Sequence, residues 1–275
     1  MSKDIEDLKK YFNFDRYAEI YDKTREVSES FQYIIDLIIR KANFKSKKIR
    51  PRILEIGAGT GAVINFLSKS RKIVPKYIGI DISNKMLDLI KNKYARDKLD
   101  LIMADAYHLP FKKNKFNLVL MVRSIHLLSQ WKKAIKESKN ALKNNDLLII
   151  ITGGQELKIL NDCYSNKKYI ELREKYGYPI FYYGADWQYI PDYIEMELNG
   201  NLEVFKGTYK TKKKVKDIIH EFKNQLMTWH TQVPKEIHDK IVEELKHCLQ
   251  NKYQKIEENE EQLGYFTIGF INFKN

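Results

Sequence analysis

The sequence predicts an α/β protein: a doubly wound, mostly parallel seven-stranded sheet flanked by helices, with helical lid insertions in its second half. Three observations carry this. Short apolar runs of strand character alternate with amphipathic helical segments from Arg52 to Thr152, and strands joined through helices pair in parallel with right-handed crossovers. A glycine-rich turn sits between the first strand and the helix after it. Hydrophobic residues make up 43% of 275 residues, enough for a sizeable core.

The elements follow in order. Residues 1–27 are polar and aromatic, with Tyr11, Phe12, Phe14, Tyr17 and Tyr21 closely spaced. Ser28 is a candidate cap for a helix that places Phe31, Ile34, Ile35, Ile38 and Ile39 on one face. After the basic linker ending at Pro51, Arg52–Ile56 reads as a buried strand and Ala62–Ser70 as a helix. Tyr77–Ile80 is a second strand ending at Asp81. Ser83 then caps a helix with Met86, Leu87 and Ile90 on its apolar side. Leu99–Met103 and Phe116–Val122 are the third and fourth strands. Trp131–Leu142 is a helix closed by a Lys143-Asn144-Asn145 turn, and Leu147–Ile151 is the fifth strand.

Beyond Thr152 the rhythm breaks into helical pieces and an aromatic-rich stretch from Phe181 to Tyr193. Asn201–Tyr209 reads as a sixth strand. Two amphipathic helices follow, one with Val215, Ile218, Ile219, Phe222 and Leu226 on a face, the other with Ile237, Ile241, Leu245 and Leu249. Residues 251–262 read as a charged loop, and Gly264–Phe273 is the last strand. The resulting division is an N-terminal segment (1–27), a ligand-binding core (28–152), a lid or substrate region (153–200) and the last two strands (201–275), with an insertion at about 210–262.

Composition narrows the function classes. No apolar run reaches the roughly 18 residues that span a bilayer. The opening MSKDIEDLKKYF lacks an apolar signal core, so the expectation is a soluble, cytoplasmic protein. Cys163 and Cys248 have no metal or redox spacing. His220, His230, His238 and His247 lack the spacing of metal ligands, so no metal is expected. The net charge of +13 admits a nucleic-acid partner. The lysines are scattered among acids, however, and the denser runs are only Lys45–Arg52 and Lys210–Lys216, so nucleic acid is not favoured. A monomer and a homodimer fit equally well.

The informative stretch is Ile53-Leu54-Glu55-Ile56-Gly57-Ala58-Gly59-Thr60-Gly61-Ala62. Glycines let the backbone turn sharply and let a ligand approach closely, and the following helix offers N–H groups to an anion. Asp81 lies about 20 residues on, where a carboxylate can take ribose hydroxyls. Gly57-x-Gly59-x-x-Ala62 also satisfies the dinucleotide fingerprint. Glu55 discriminates. A carboxylate just before the first glycine would repel a pyrophosphate, whereas S-adenosylmethionine has no phosphate and carries an ammonium and a sulfonium. Asp105, ending the third strand in Ala104-Asp105-Ala106, can accept from an adenine amino group.

On these residues the chain resembles the class I S-adenosylmethionine-dependent methyltransferases, in particular the small-molecule branch related to the ubiquinone and menaquinone methyltransferases. The resemblance rests on LEIGAGTG at 54–61, Asp81 with Met86, the AD pair at 104–105, LPF at 109–111, FNLVLMV at 116–122 and LLIIIT at 147–152. It spans roughly residues 12–152, and YAEIYDKTR at 17–25 is similar to the segment these enzymes fold over the cofactor. It implies a Rossmann-like sheet with the last strand antiparallel and inserted beside the sixth. It also implies that Glu55, Gly57, Ala58, Gly59 and Gly61 line the methionine half of the cofactor and that Asp81 holds the ribose. Asp105 and Ala106 would hold the adenine, with Ile82 and Met86 against the adenosine. Tyr21 and Val122 complete the expected cofactor set.

Methyl transfer is a displacement at a good leaving group, so alignment in a dry pocket is the main demand. His126, just past the fourth strand, is the candidate base or orienting group; packing is its other reading. Tyr17, Arg25, Arg123, Tyr183 and Trp187 are candidate acceptor-site residues, and the aromatic ones serve equally as core. Two alternatives stand beside a small-molecule methyltransferase. One is an RNA-modifying methyltransferase, although MVRSIH at 121–126 is not a base-amino-methylation motif. The other is an NAD-dependent oxidoreductase, although its Tyr164/Lys168 pair is misplaced.

Overall fold

Four apolar runs build the centre of the sheet because each is buried on both faces. The structure, a computed structural model, describes residues 14–18, 29–42, 50–69, 75–94, 99–153, 163–181 and 183–274. The strands are Arg52–Ile56 (β1), Lys76–Asp81 (β2), Leu99–Met103 (β3), Phe116–Val122 (β4), Leu142–Gly153 (β5), Gly200–Lys214 (β6) and Asn259–Phe273 (β7), in the order β3-β2-β1-β4-β5-β7-β6. β1 pairs in parallel with β2 (Ile53 opposite Tyr77) and with β4 (Ile53 opposite Leu118). β2 pairs in parallel with β3, and β4 with β5. Gly200 faces Phe273, Gly207 faces Phe266 and Tyr209 faces Gly264. Partner numbers thus fall along β7 as they rise along β6, which is antiparallel pairing.

The described helices are Phe14–Ala18 (α1), Glu29–Ala42 (α2), Ala62–Lys69 (α3), Asn84–Lys93 (α4), Trp131–Ala141 (α5), Tyr164–Lys175 (α6), Val215–Lys223 (α7) and Lys235–Lys252 (α8). Helical turns occupy Trp187–Tyr189, Ile190–Asp192 and Tyr193–Glu197. Among the described residues, no helix is long and apolar enough to cross a membrane.

The chain divides into two units. The larger holds the described residues of 14–152, 183–206 and 267–275. Its core gathers Leu54, Ile56, Ile78, Ile80, Val119, Met121, Leu148 and Ile150 from one face of the sheet. Against them lie Ala134 and Ile135 of α5 and Trp187, Ile190, Tyr193 and Ile194 of the helical turns. Strand side chains alternate, so Ile53, Glu55, Tyr77 and Gly79 point to the opposite face. α4 packs on β2 and β3 with Met86, Leu87 and Ile90 buried, and the Ser83 side chain accepts from Met86 N at 3.2 Å.

The smaller unit holds the described residues of 153–182 and 207–266. α6, α7 and α8 bury Tyr169, Leu172, Val215, Ile218, Phe222, Ile241, Val242, Leu245 and Leu249 together. Arg173 is buried, and its guanidinium donates to the carbonyls of Tyr178 (2.8 Å), Trp229 (2.8 Å) and Pro179 (3.1 Å) and to Gln232 Oε1 (3.2 Å). The start of α6 is capped from β7: Glu260 Oε1 accepts from Ser165 N at 2.9 Å and from the Tyr253 hydroxyl at 3.0 Å.

Three bounds differ from the sequence reading. β5 begins at Leu142, because Lys143–Asp146 form an irregularity within the strand and not a separate turn: Phe116 pairs with Leu142, then Leu118 with Leu147. Asn117 spans that irregularity, accepting from Arg52 N at 3.1 Å and donating to Asp146 Oδ2 at 2.8 Å. β6 runs on to Lys214 and β7 starts at Asn259, so the segment between them is Val215–Glu258. Polar residues hid both extensions: β6 ends the strand order and is mostly exposed, so it shows little apolar alternation. Residues 163–181 and 183–200 of the expected lid fall in different units.

Candidate active site

The winding of the sheet reverses between β1 and β4: β2 and β3 are added on one side of β1, β4 and β5 on the other. In such sheets ligands bind at the carboxyl ends of the strands flanking the switch. The Gly57 turn leaves β1 there, and Ser124 follows β4.

The turn is held by β2. Gly57 N and Ala58 N both donate to Ile80 O at 2.9 Å, and Gly59 N donates to Asp81 Oδ2 at 2.9 Å. These three N–H groups therefore fix the turn. Gly57 has φ +75° and its Cα faces Ser124; a β-carbon there would lie 2.6 Å from Ser124 Cβ. Ser124 Oγ in turn donates to Ile56 O at 2.8 Å. Gly59 differs: at φ +54°, a β-carbon would meet nothing within 4 Å. It is the point where a ligand can come closest to the backbone.

Asp81 is the second fixture. Its Oδ1 accepts from Ser83 N at 2.9 Å while Oδ2 holds Gly59 N. A carboxylate has about four lone-pair sites, and the Ile82 N–H also bonds to this one, so about one acceptor position is left for a hydroxyl donor. Burial holds the Asp81 carboxyl above its usual range, the N–H donors of Ser83, Gly59 and Ile82 pull it down, and Asp15 pushes it up. Asp15 arrives on α1, accepting from Ser83 Oγ at 2.7 Å. Ala18 and Met86 pack together with Phe14 and Leu89.

Glu55 is only 2% exposed. The Tyr77 hydroxyl, itself buried, donates to Glu55 Oε2. Burial pushes the Glu55 carboxyl up to about 8, against the lowering effect of the Tyr77 hydrogen bond and with a further rise from Asp81. Room for this pair comes from Gly79, directly opposite Glu55: a β-carbon there would crowd Ala58, Tyr77 and Leu101 at 3.0, 3.0 and 3.1 Å. Tyr77, Gly79, Ser124 and Asp15 were missed from sequence. The signal available for Tyr77 was an aromatic hydroxyl in an otherwise apolar strand four residues before Asp81.

Asp105 braces its own turn with one contact from each oxygen. Oδ1 accepts from Tyr107 N at 2.9 Å, and Oδ2 lies 3.1 Å from His108 Nδ1, whose ring accepts from Lys133 through Nε2 at 2.7 Å. Ala106 packs at the edge of the main core and Val122 ends β4, pairing with Ile151.

His126 lies in the helical turn Ile125–Leu127. The segment after residue 182 is laid directly on it: a β-carbon on Gly184 would stand 2.6 Å from His126 O, and Ala185 N donates to Ile125 O at 3.3 Å. Tyr183 is thereby brought beside the His126 turn. Trp187 is not an open pocket wall; it is 8% exposed in the main core, close over Gly269. Arg123 has φ +53° and donates its N–H to Ile151 O at 2.8 Å. Tyr21, Arg25 and the Tyr17 side chain lie outside the described residues. Tyr164 and Lys168 lie on α6 in the smaller unit, paired with Tyr253 and Glu171. Among the described residues, no group of three His, Cys, Asp or Glu side chains is arranged to hold a metal ion.

Residues 54–150 match the family model described as a methyltransferase domain. An uncharacterized protein of Methanocaldococcus jannaschii is 31% identical over 186 residues, covering 66% of this chain and 77% of that protein. A demethylmenaquinone methyltransferase of Staphylococcus aureus is 27% identical over 172 residues, covering 61% of this chain and 68% of the relative. Among solved structures, the YcgJ protein of Bacillus subtilis superposes with a TM-score of 0.57 at 16% identity, covering 88% of this chain and 98% of the other; this likeness is one of fold.

Proposed function

The chain belongs to the class I S-adenosylmethionine-dependent methyltransferases, and on that premise we propose that it methylates a small-molecule acceptor at the carboxyl ends of β1 and β4. The observation that carries the reading is the open approach to Gly59 between two acids, Asp81 bonded to its N–H and Glu55 buried just before the turn. A diphosphate would meet repulsion from the Asp81 carboxylate, and Glu55 has no cation beside it to offset that. When bound, the cofactor supplies a methyl group on a positively charged sulfur. Asp81 would hold the ribose through its remaining acceptor position, and Glu55 would face the positive methionine end. Met86 and Ile82 would flank the nucleoside, with Asp105 and Ala106 at the adenine.

His126 and Tyr183 would border the acceptor, the histidine taking a proton from a hydroxyl or amine, or orienting it. The small-molecule reading is supported by the named relative, a demethylmenaquinone methyltransferase. The smaller unit adds support: four of the five lysines at 210–216 contact glutamates, Lys210 with Glu261, Lys213 with Glu221, and Lys214 and Lys216 with Glu257. The test offers methyl-labelled S-adenosylmethionine with a small-molecule extract and, separately, with tRNA and rRNA. Label is expected in the small-molecule fraction, and a His126→Ala variant is expected to transfer it about 100-fold more slowly with cofactor affinity kept. Label in RNA would overturn the proposal.

A further inference from the structure

Glu55 is a carboxyl group without a cation. It is 2% exposed, its hydrogen-bond donor is the neutral Tyr77 hydroxyl, and among the described residues no Lys, Arg or His pairs with it. The titratable groups facing it are Tyr77 and Asp81, both on β2, with Asp15 of α1 behind Asp81. Neither compensates a negative charge. Tyr77 is held in its neutral form by burial and by Glu55 itself, and Asp81 repels. A buried ionised carboxylate in such surroundings is costly, and neutralisation is the cheaper state. The balance changes when a ligand with positive charge arrives above the same turn, because opposite charges in a low-dielectric site favour the ionised form.

We propose that the Glu55–Tyr77 pair couples cofactor binding to the loss of one proton: Glu55 is a neutral acid before the cofactor binds and a carboxylate, held by the Tyr77 hydroxyl, once the positive methionine end lies above it. The step is a simple ionisation. The O–H bond of the Glu55 carboxyl breaks, the electron pair stays on oxygen, and the proton passes to solvent. Tyr77 acts here as a positioning residue, since its hydroxyl donates to the ionised form and lowers the cost of making it. The inference rests on the cofactor site proposed above.

Linkage gives the sign. If binding releases a proton, affinity rises with pH, by about tenfold per unit while Glu55 is protonated in the free protein. It stops rising near pH 8, where burial has placed this carboxyl. Above about pH 8 the cofactor's own α-amino group loses its charge, so affinity falls again; that limb belongs to the ligand and is common to every variant.

The experiment is titration calorimetry of the full chain with S-adenosylmethionine and S-adenosylhomocysteine from pH 6 to 9, in two buffers of different ionisation heat. For the unaltered protein the expectation is release of close to one proton at pH 7 and a rising limb below pH 8. Glu55→Gln is expected to bind without that release and without the rising limb. Tyr77→Phe is expected to keep both but shift the limb to higher pH, binding about tenfold more weakly at pH 7. Thermal unfolding of each variant confirms that it is folded, and the glutamine variant decides the matter if the phenylalanine variant is not. Tight binding with no proton release, or the same pH profile in Glu55→Gln, would overturn the coupling while leaving the cofactor site intact. Absence of binding by the unaltered protein at every pH would overturn the site and the coupling together.

Discussion

At the scale of the residue, two glycines in one turn do different work. Gly57 is a packing requirement: its φ of +75° and the 2.6 Å approach of Ser124 both exclude a side chain. Gly59 meets no such neighbour: its φ of +54° is mildly strained for other residues and its surroundings are open, so under the proposed function its missing side chain serves the ligand. The two substitutions should therefore separate. Gly57→Ala is expected to destabilise the larger unit by about 2–3 kcal/mol, from backbone strain plus displacement of Ser124. Gly59→Ala is expected to cost only about 1 kcal/mol of stability yet weaken S-adenosylmethionine binding more than tenfold. Thermal unfolding and calorimetry on both variants measure this, and equal stability losses with equal affinities would contradict it. Glu55 shows the limit of reading residue types: an acid before the turn was legible, but its protonation is set by burial, which raises its pKa, and by the Tyr77 hydroxyl, which lowers it, and sequence spacing did not bring these together.

At the scale of the element, the parallel half was legible because its strands are short, apolar and bounded by Gly, Pro, Asp and Asn. β1, β3 and β4 begin and end where their apolar runs do. The antiparallel end was less so. β6 has one neighbouring strand and lysines on its exposed residues, which discourage edge-to-edge association; that composition reads locally as loop. Glu260 at the start of β7 illustrates the missing information. Its carboxylate caps α6, 95 positions away, by accepting from Ser165 N. Glu260→Ala is expected to leave Ser165 N and the Tyr253 hydroxyl without their acceptor and to destabilise the smaller unit by about 1–3 kcal/mol. Urea denaturation followed by helical circular dichroism checks it; a loss below about 0.5 kcal/mol would mean that the cap contributes little.

At the scale of the whole molecule, the net charge of +13 includes a basic run at 210–216 that three glutamates of the same unit partly neutralise, pairing with four of its five lysines. pH acts on the smaller unit through two buried histidines. His238 donates through Nε2 to Phe222 O at 2.8 Å, so Nδ1 accepts from the Tyr169 hydroxyl at 2.7 Å and the ring is neutral. His230 is stacked on Phe222 with ring centroids 4.6 Å apart. Burial first, then His238 and Arg173, hold His230 well below the usual histidine range, and burial lowers His238 as well. The folded state therefore resists protons that the unfolded chain takes up below about pH 6.5. Stability of this unit is expected to be full above that pH and to fall as pH drops towards 5. The urea midpoint should move accordingly, and His230→Phe should flatten the dependence; an unchanged slope in that variant would rule out His230 as a cause.

The sequence by itself determined the alternating strands and helices, the glycine turn with its acids, and the methyltransferase family, because each depends on contiguous residues and short spacings. Tertiary structure alone decided which groups meet across the fold: Tyr77 under Glu55, Ser124 over Gly57, Asp15 on Ser83, and Gly184 on the His126 turn. The reason is physical. Local propensity and periodicity are written along the chain, whereas burial, the protonation state of an acid and the room left beside a glycine depend on neighbours that strand register and helix packing bring together from distant positions.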